Sequence, residues 1–427
     1  MKQQSKFKET EIGMIPKTWE VYSLENISEI IDCLHSKKPE KKNSGEIYLE
    51  VFNLIPETAG INLSNLGFIS KEDYSFWTKR IVPEHGDLVI TNTGIAATAM
   101  IPKDFKCCIG RNMTLIKPNR KKILPEFLRF YTLSNLFKSE IRRLSLSGTI
   151  LESLHVKYIG KIKIAVPKLE EQQKIVNIIK PLFDKTMTNQ QMNKTLEGIG
   201  QALFKRWFVD FEFPNEKGKP YKSSGGKMID SELGEIPNGW KAGVFSDLVN
   251  NTKEPLKLGN HLKDRKYVPI DCLPMRSIGI EVFKDFSEAK SSLIAFEKDD
   301  ILFGAMRAYF HRVNLAPFSG ITRTTAFVLR PKKKQYLSYA LFLLNQNSSV
   351  EYANAHSKGS TMPYAVWEGS LAELPIFLPD EGIIERFYIV LSSMLEKINN
   401  LIFENKNLKE IRDSFLPKLV SGKIRVN

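Results

Sequence analysis

Arginine, asparagine and hydroxyl side chains cluster beside short β-rich runs in two separated parts of the chain. In the first part these residues are Thr91, Asn92, Thr93, Arg111 and Asn112. In the second part they are Arg307, Tyr309, His311, Arg312, Arg323, Thr324 and Thr325. Arginine can pair through two hydrogen bonds with guanine, and asparagine with adenine, so these side chains are candidates for reading DNA bases. Each could instead be solvated or contact a phosphate, and both interpretations stay open.

Two further loops contain hydroxyl residues and glycine, each ahead of a long helical stretch. The first holds Ser147 and Thr149 around Gly148, and the second holds Ser360 and Thr361 after Gly359. Their hydroxyl and amide groups could bind a phosphate. A plain turn explains the same residues equally well.

Motifs for covalent or cofactor chemistry are missing from the sequence. No phosphate-binding G-x-x-x-x-G-K-[ST] loop occurs, since Gly226-Lys227 is followed by Met228. The cysteines, at positions 33, 107, 108 and 272, form no C-x-x-C pair and show no zinc-like spacing to histidine. We therefore predict no catalytic, cofactor-binding or metal-binding residue in this chain, and no disulfide.

The charge balance favours a polyanionic partner. The chain has 62 Lys and Arg against 48 Asp and Glu, a net charge of +14, which would attract nucleic acid in a salt-dependent way. Its 42% apolar content is enough for packed cores. No apolar run of about 18 residues and no secretory signal is seen, so we expect a cytoplasmic protein without membrane contact.

The candidate readers lie on segments with mixed α and β patterns. The β-rich runs are Leu88–Thr91, Met113–Ile116, Ile301–Phe303 and Thr325–Leu329. Helical patterns follow over Pro125–Tyr131 and Leu337–Leu343. We therefore expect the reading side chains at strand ends and in the adjoining loops.

The chain is one unit written twice. Glu11–Trp19 is echoed by Glu232–Trp240, and the two segments share Glu, Gly, Ile, Pro and Trp at the same positions. Matches further along keep the same order, which gives two copies of roughly 210 to 220 residues. The ends of the copies are alike, whereas their middles differ. Divergent middles on a shared scaffold predict two different ligands.

A long helix with a heptad seam ends each copy. The first seam runs through Ile175, Ile179, Leu182, Thr186, Asn189, Asn193, Leu196, Gly200, Leu203 and Trp207. The second runs through Phe387, Leu391, Met394, Ile398, Leu401, Asn405, Leu408, Arg412, Phe415 and Leu419. Asn193 and Asn405 occupy equivalent positions, where a buried amide can fix the register of a coiled coil. An imperfect seam with solvated polar residues is the alternative.

These patterns predict an α+β fold with a pseudo-two-fold internal repeat. Two mixed α/β domains are separated by two long helices that form an antiparallel coiled coil. About 40 helical residues make a rod near 60 Å long, which could hold two reading domains at a fixed separation.

The matched segments resemble the specificity subunits of type I restriction-modification systems over nearly the whole chain. The resemblance lies in both Glu-to-Trp segments, in Leu169–Gln172, in Leu203–Phe211 and in Leu416–Ile424. It implies target-recognition domains at 1–168, with the lead-in segment, and at 232–379. It also implies a conserved central helix at 169–212, a linker at 213–231 and a conserved C-terminal helix at 380–427.

The resemblance further implies a non-catalytic subunit that reads one half of a bipartite, asymmetric DNA target with each domain. Two methyltransferase subunits would dock on the helices and bind S-adenosylmethionine for adenine-N6 methylation. Restriction and translocase subunits, which use ATP and magnesium, could join them. One departure is that the second helix opens with Asp380–Glu385 instead of the family's acid-glutamine sequence, which puts equal docking on both helices in doubt.

Two other functions fit parts of the pattern. The chain could be a stand-alone DNA-modifying enzyme, and activity of the purified chain without partners would distinguish it. It could also be a coiled-coil scaffold for proteins only, in which case binding to duplex DNA would be missing.

Overall fold

The structure is a computed structural model that describes residues 6–93, 96–145, 154–257, 259, 262–290 and 292–426. It divides into two compact units. Unit 1 comprises Met1–Lys185 and Leu408–Asn427, and unit 2 comprises Thr186–Asn407. Both divisions between the units fall inside the long helices, so each unit contains a part of both.

The described residues of unit 1 form short strands, four short α-helices and the start of a long one. The strands are β1 Phe7–Thr10, β2 Gly13–Pro16, β3 Glu20–Ser23, β4 Ser28–Asp32, β5 Glu46–Leu49, β6 Leu54–Ile55, β7 Gly60–Ile61, β8 Gly67–Ile69, β9 Leu88–Thr91, β10 Thr98–Met100, β11 Cys107–Ile109, β12 Met113–Pro118 and β13 Lys163–Val166. The helices are α1 Lys71–Trp77, α2 Pro125–Thr132, α3 Asn135–Leu144, α4 Val156–Ile159 and α5 Leu169–Phe204, which continues into unit 2.

Unit 2 repeats much of this order. Its strands are β14 Met228–Ser231, β15 Gly234–Pro237, β16 Lys241–Val244, β17 Val249–Thr252, β18 Pro255–Leu256, β19 Lys266–Tyr267, β20 Leu293–Phe296, β21 Ile301–Gly304, β22 Val313–Leu315, β23 Gly320–Arg323, β24 Ala326–Pro331 and β25 Pro375–Leu378. Its helices are α6 Tyr336–Leu344, α7 Asn347–Ala355 and α8 Glu381–Val420, whose end lies in unit 1. The strand and helix segments that the sequence predicts are present in both units.

One four-stranded sheet has the same topology in both units. Its order is β10-β9-β12-β4 in unit 1 and β22-β21-β24-β17 in unit 2. The second sheets differ: β11-β5-β8 in unit 1 and β18-β20-β23-β19 in unit 2. The two units therefore share their central sheet and differ in their second sheet. This agrees with the sequence repeat, in which the ends of the two copies match and their middles differ.

The central strands are buried because their sequences are continuously apolar. All four residues of β9 and all four of β21 are buried, as expected for strands covered on both faces. In unit 1 they pack in a core that contains the lead-in residue Trp19. In unit 2 the equivalent Trp240 occupies the matching core. The repeated tryptophan therefore anchors the lead-in segment in each unit.

The repeated glycine of the lead-in segment has a conformational reason. Strands β1 and β2 form a hairpin, as do β14 and β15. Gly13 has φ +100° and Gly234 has φ +99° at the turns, a left-handed conformation that disfavours residues with a Cβ. The two copies thus conserve the turn and not only its sequence.

The long helices run antiparallel within each unit. In unit 1 the Arg412 guanidinium lies 5.2 Å from the Phe183 ring centroid. In unit 2 the ring centroids of Phe204 and Phe387 are 6.3 Å apart. Helix α5 continues through Pro181. Most residues of the predicted seam are buried or half-buried. The prediction is wrong for Phe415, which is 44% exposed, because Leu416 occupies the core position instead.

The N-terminal turns of the two long helices are held in different ways. A buried glutamine holds the start of α5, whereas an isoleucine occupies the equivalent position in α8. Gln172 is fully buried in unit 1. Its side chain accepts from Leu124 N at 2.8 Å and donates to the carbonyls of Lys122 and Pro167 at 3.0 and 2.9 Å. At the equivalent position of α8, Ile384 is buried in the core of unit 2. Each unit thus secures its helix start, one by hydrogen bonds and one by apolar packing.

Among the described residues, no helix combines the length and the hydropathy that a membrane span requires.

Candidate nucleic-acid interface

In unit 1 the end of β9 and the start of β12 bring candidate readers to one edge of the central sheet. Thr91 pairs with Met113 in the strand register. The backbone N–H of Asn92 donates to the carbonyl of Asn112 at 2.8 Å. Arg111 and Asn112 are exposed at the turn before β12, where Asn112 has φ +61°. Asn92, Arg111 and Asn112 therefore lie together, as the sequence predicts for strand ends.

In unit 2 the equivalent edge lies between β21 and β24. Gly304 pairs with Ala326, and the backbone N–H of Ala305 donates to the carbonyl of Thr325 at 2.9 Å. Arg307 follows in the same loop with a left-handed φ of +53°. Thr324 is exposed and Thr325 is half-buried.

A later loop closes on this edge in both units through one more equivalent hydrogen bond. Leu154 N donates to the Asn92 carbonyl at 3.0 Å in unit 1, and Ala365 N donates to the Ala305 carbonyl at 2.7 Å in unit 2. The backbone framework is therefore repeated. The side chains are not, because Asn92 and Asn112 of unit 1 are replaced by Ala305 and Thr325.

The hydroxyl loop of the second copy is the tip of a small hairpin. Lys358 and Tyr364 exchange two backbone hydrogen bonds of 2.9 Å. Ser360 and Thr361 are exposed at its tip. The corresponding candidates of the first copy, Ser147 and Thr149, lie outside the residues that the structure describes.

Four candidates are engaged inside their units, which argues against Thr91, His311 and Arg312 as base readers. The fourth, Asn92, keeps only its amide nitrogen for this role, because its Oδ1 accepts from Thr114 Oγ1 at 2.9 Å. Thr91 is 1% exposed, and its Oγ1 accepts from Ala97 N at 3.0 Å. His311 is 4% exposed, and its Nε2 lies 3.1 Å from the carbonyl oxygen of Asn345. Burial lowers the pKa of His311, so its ring is neutral near pH 7. Arg312 donates to the carbonyls of Ile270 and Leu273 and thereby holds a turn.

The other candidates remain accessible to different degrees. Thr93 and Arg307 are half-buried, and Tyr309 is 48% exposed. Arg323 is half-buried and lines a 290 Å³ cavity together with Asp271 and Lys284. Burial raises the pKa of Tyr267, and the nearby Arg323 guanidinium partly counteracts this rise.

Strand β4 in unit 1 and strand β17 in unit 2 bring further residues to the candidate reading edges. These residues are not among the candidates that the sequence suggests. Asp32 of β4 pairs with Thr114 of β12, so the end of β4 lies beside Asn112 and Met113. His35 follows, with Nε2 2.7 Å from Asp32 Oδ2. In unit 2 Lys253 directly follows the equivalent strand β17. The position of both segments, just after the repeated lead-in motif, is the signal that could have identified them.

One group of side chains at this edge could coordinate a metal. Ligand atoms of Asp32, Cys33 and His35 all lie within 4.8 Å of one another. Burial raises the pKa of the Cys33 thiol, which disfavours the thiolate that binds metals. Three ligands also fall one short of the closed tetrahedral set typical of structural zinc. The Asp32–His35 pair is better described as a hydrogen bond at the interface.

A buried carboxylate organises the lysine-rich loop near the unit 1 edge. Glu50 is 7% exposed and forms ion pairs with Lys38 and Lys41. Burial alone would raise its pKa, but the two lysines hold the pKa of Glu50 below its ordinary value. These lysines are thus fixed by an internal charge, which leaves Arg111 as an exposed cation at the strand end.

Residues 16–198 match the family model of the type I restriction modification DNA specificity domain. The chain is 27% identical to the MjaIX type I restriction enzyme specificity subunit of Methanocaldococcus jannaschii, over 99% of this chain and 97% of that protein. It is 26% identical to the HindI specificity subunit of Haemophilus influenzae, over 74% of this chain and 81% of that protein.

A solved structure has a similar fold. The type I restriction-modification S subunit from M. genitalium aligns with a TM-score of 0.55 and 13% sequence identity. The alignment covers 94% of this chain and 96% of that one.

Proposed function

We propose that this chain is a specificity subunit of the type I restriction-modification family and that its two units each read one half of a bipartite DNA target. It is a DNA-binding, non-catalytic subunit that works with partner subunits. The further proposal concerns which edge of each unit meets the DNA and how the partners are held.

The observation that carries this proposal is the repeated backbone framework with different side chains. Both central sheets end in the same hydrogen bonds, from Asn92 N to Asn112 O and from Ala305 N to Thr325 O. Unit 1 exposes Arg111 and Asn112 there, beside an Asn92 whose Oδ1 accepts from Thr114, and the two exposed side chains suit hydrogen bonding to base edges. Unit 2 places smaller residues there. One scaffold with two side-chain sets fits an asymmetric sequence with two unlike halves.

Exposed apolar residues on the long helices support docking of two identical partners. Ile178 and Val390 occupy equivalent helix positions and are 43% and 44% exposed. Ile199 and Ile411 are likewise equivalent and are 44% and 46% exposed. Each unit carries one residue of each equivalent pair. Apolar side chains that recur at repeated surface positions are typical of an interface.

In this proposal the partners are two methyltransferase subunits. S-adenosylmethionine binds to them, and this chain supplies no cofactor site. Restriction and translocase subunits that use ATP and magnesium join the same complex. The adenine that is methylated leaves the DNA stack and enters a methyltransferase pocket.

Mapping of DNA methylation in cells that express this chain with its partner tests the proposal. We expect two short half-sites separated by a fixed gap without sequence preference, with centres about one helical turn, on the order of 10 bp, apart. A continuous motif would contradict reading by two units. DNA binding of the purified complex that does not weaken as salt rises would contradict phosphate contact altogether.

A further inference from the structure

Unit 2 contains an apolar cavity of 610 Å³ at its candidate reading edge. The hairpin that joins Lys358 to Tyr364 forms one wall. A bridge between Met306 and Tyr364 attaches this hairpin to the loop after β21. The cavity therefore opens beside the same strand ends that carry Arg307, Thr324 and Thr325.

The walls are sulfur-containing and aromatic. They include Met306, Phe327, Met362, Tyr364 and Trp367. Met362 is 54% exposed and Tyr364 is 50% exposed, so these large apolar side chains have not been withdrawn into the core. Two such residues on one short hairpin form a surface that would be stabilised by an apolar group from a ligand.

Polar groups at the rim limit the kind of ligand. Within the described residues, the Oγ1 of Thr325 is buried and has no hydrogen-bond partner, so its hydroxyl can donate to an acceptor that enters the cavity. Lys253 lies on the rim and pairs with Glu368 at 3.0 Å. Arg323 lines the adjoining cavity, which shares Met306 and Thr325 with this one.

A thymine presents the matching pattern in the major groove. Its edge carries the O4 acceptor next to the C5 methyl group, and no other base of DNA offers that combination. A hydroxyl donor beside an apolar cavity is complementary to it. Lys253 is already paired with Glu368, but Arg307 and Arg323 lie beside the cavity. These cations favour the DNA backbone over an apolar protein segment as the neighbour of this surface.

We propose that this cavity receives the C5 methyl group of a thymine in the half-site read by unit 2, while the Thr325 hydroxyl donates to O4 of the same base. The inference rests on the proposed DNA-reading function. It also assigns a chemical difference between the units, because unit 1 presents the exposed amide of Asn112 where unit 2 presents the Thr325 hydroxyl and an apolar cavity.

The test uses the complex of this chain with its methyltransferase partner and a duplex that contains the mapped target. Each thymine is replaced in turn by uracil, which lacks only the methyl group. At one position in the second half-site we expect affinity to fall about fourfold, the effect of leaving one methyl group unburied. Replacements in the first half-site provide the internal reference.

Variants separate the two proposed contacts. Met362→Ala combined with Tyr364→Ala should bring the ratio of thymine to uracil affinity close to one. Thr325→Val keeps the side-chain shape and removes the donor, so it should weaken thymine and uracil duplexes equally. Met275→Ala is the control, since Met275 is 55% exposed in unit 2 but does not line the cavity.

The outcomes distinguish this inference from the function on which it rests. A complex that recognises two half-sites, but whose second half-site lacks an A·T pair or is insensitive to uracil, overturns the thymine contact alone. If the variants bind a mapped bipartite target with an unchanged thymine preference, the cavity is wrongly assigned. Loss of all sequence preference in the unmodified complex would instead overturn the proposed function.

Discussion

The side-chain amide of Asn189 donates to the Oδ1 of Asn405 at 2.9 Å between the two long helices in unit 2. The sequence predicts Asn193 as the equivalent of Asn405, and in a parallel pair equivalent residues would meet. These helices run antiparallel, so moving forward by four residues on α5 corresponds to moving back by four residues on α8. Asn193 is therefore level with Leu401 and not with Asn405. In the described structure the buried Oδ1 of Asn193 has no hydrogen-bond partner. The register residue that pairs with Asn405 is therefore Asn189.

Asn189→Leu is expected to lower the free energy of unfolding by about 1–3 kcal/mol, because it removes a partner of a buried amide. Asn189 also donates to Glu404 at 2.9 Å, which adds to the loss. Asn193→Leu is the matched control and should be neutral or stabilising. Urea denaturation of the three proteins measures both effects. Equal destabilisation by the two substitutions would show that the register is wrong.

Arg111→Ala is expected to relax base preference in the first half-site only, by about tenfold or more, if the arginine pairs with a base. Arg120→Ala is the control, because Arg120 lies beyond the opposite end of β12 and donates to the His85 carbonyl. Binding to a library of half-site variants gives the readout. A uniform loss across all sequences would instead assign Arg111 to a phosphate.

Arg307→Ala and Arg323→Ala should affect only the second half-site, since both residues lie in unit 2. The same library, with the half-sites varied separately, measures this restriction. Equal relaxation of both half-sites would show that these arginines are wrongly assigned.

Ile178→Glu combined with Ile411→Glu should remove one docked methyltransferase subunit, because the two exposed residues belong to unit 1. Ile199→Glu combined with Val390→Glu should remove the other. The mass of the purified complex reports the number of partners. Met187→Glu serves as the control, since Met187 is 56% exposed but its equivalent, Asn399, is buried. Retention of both partners by the double variants would refute this docking surface.

Glu140→Gln should lower the free energy of unfolding by about 1 kcal/mol near pH 7. Arg143 donates to the Glu140 carboxylate at 2.8 and 2.7 Å, and Lys163 N donates to it at 3.1 Å. Burial alone would raise the pKa, but these hydrogen bonds hold the pKa of Glu140 below its ordinary value.

The sign of the pH dependence follows from this depressed pKa. The stabilisation by ionised Glu140 is present above the unfolded pKa of about 4.3 and is lost as pH falls through the folded pKa. Denaturation of both proteins between pH 7 and pH 3 should therefore show the difference shrinking in acid. A difference that stays constant with pH would contradict a role for the ionised carboxylate.

Much of the scaffold could be predicted because it depends on local patterns. The all-buried strands β9 and β21 follow from continuous apolar runs, and the long helices follow from their apolar spacing. The interface was predicted only where candidates lay at strand ends. Asp32, His35 and Lys253 were missed because strand pairing brings them there from distant positions in the sequence. His311 and Arg312 are candidates by residue type, and residue type alone does not reveal that His311 is buried or that Arg312 is held by backbone carbonyls.

The sequence by itself determined that two copies of one α+β scaffold would form, since repeated turns, tryptophans and apolar periodicity act over short range and are written in each copy. Tertiary structure decided which side chains meet. Antiparallel packing paired Asn405 with Asn189, strand order brought β4 beside β12, and one hairpin enclosed an apolar cavity in unit 2. Such contacts depend on the axial register of the helices and on strand order, which local sequence patterns do not encode.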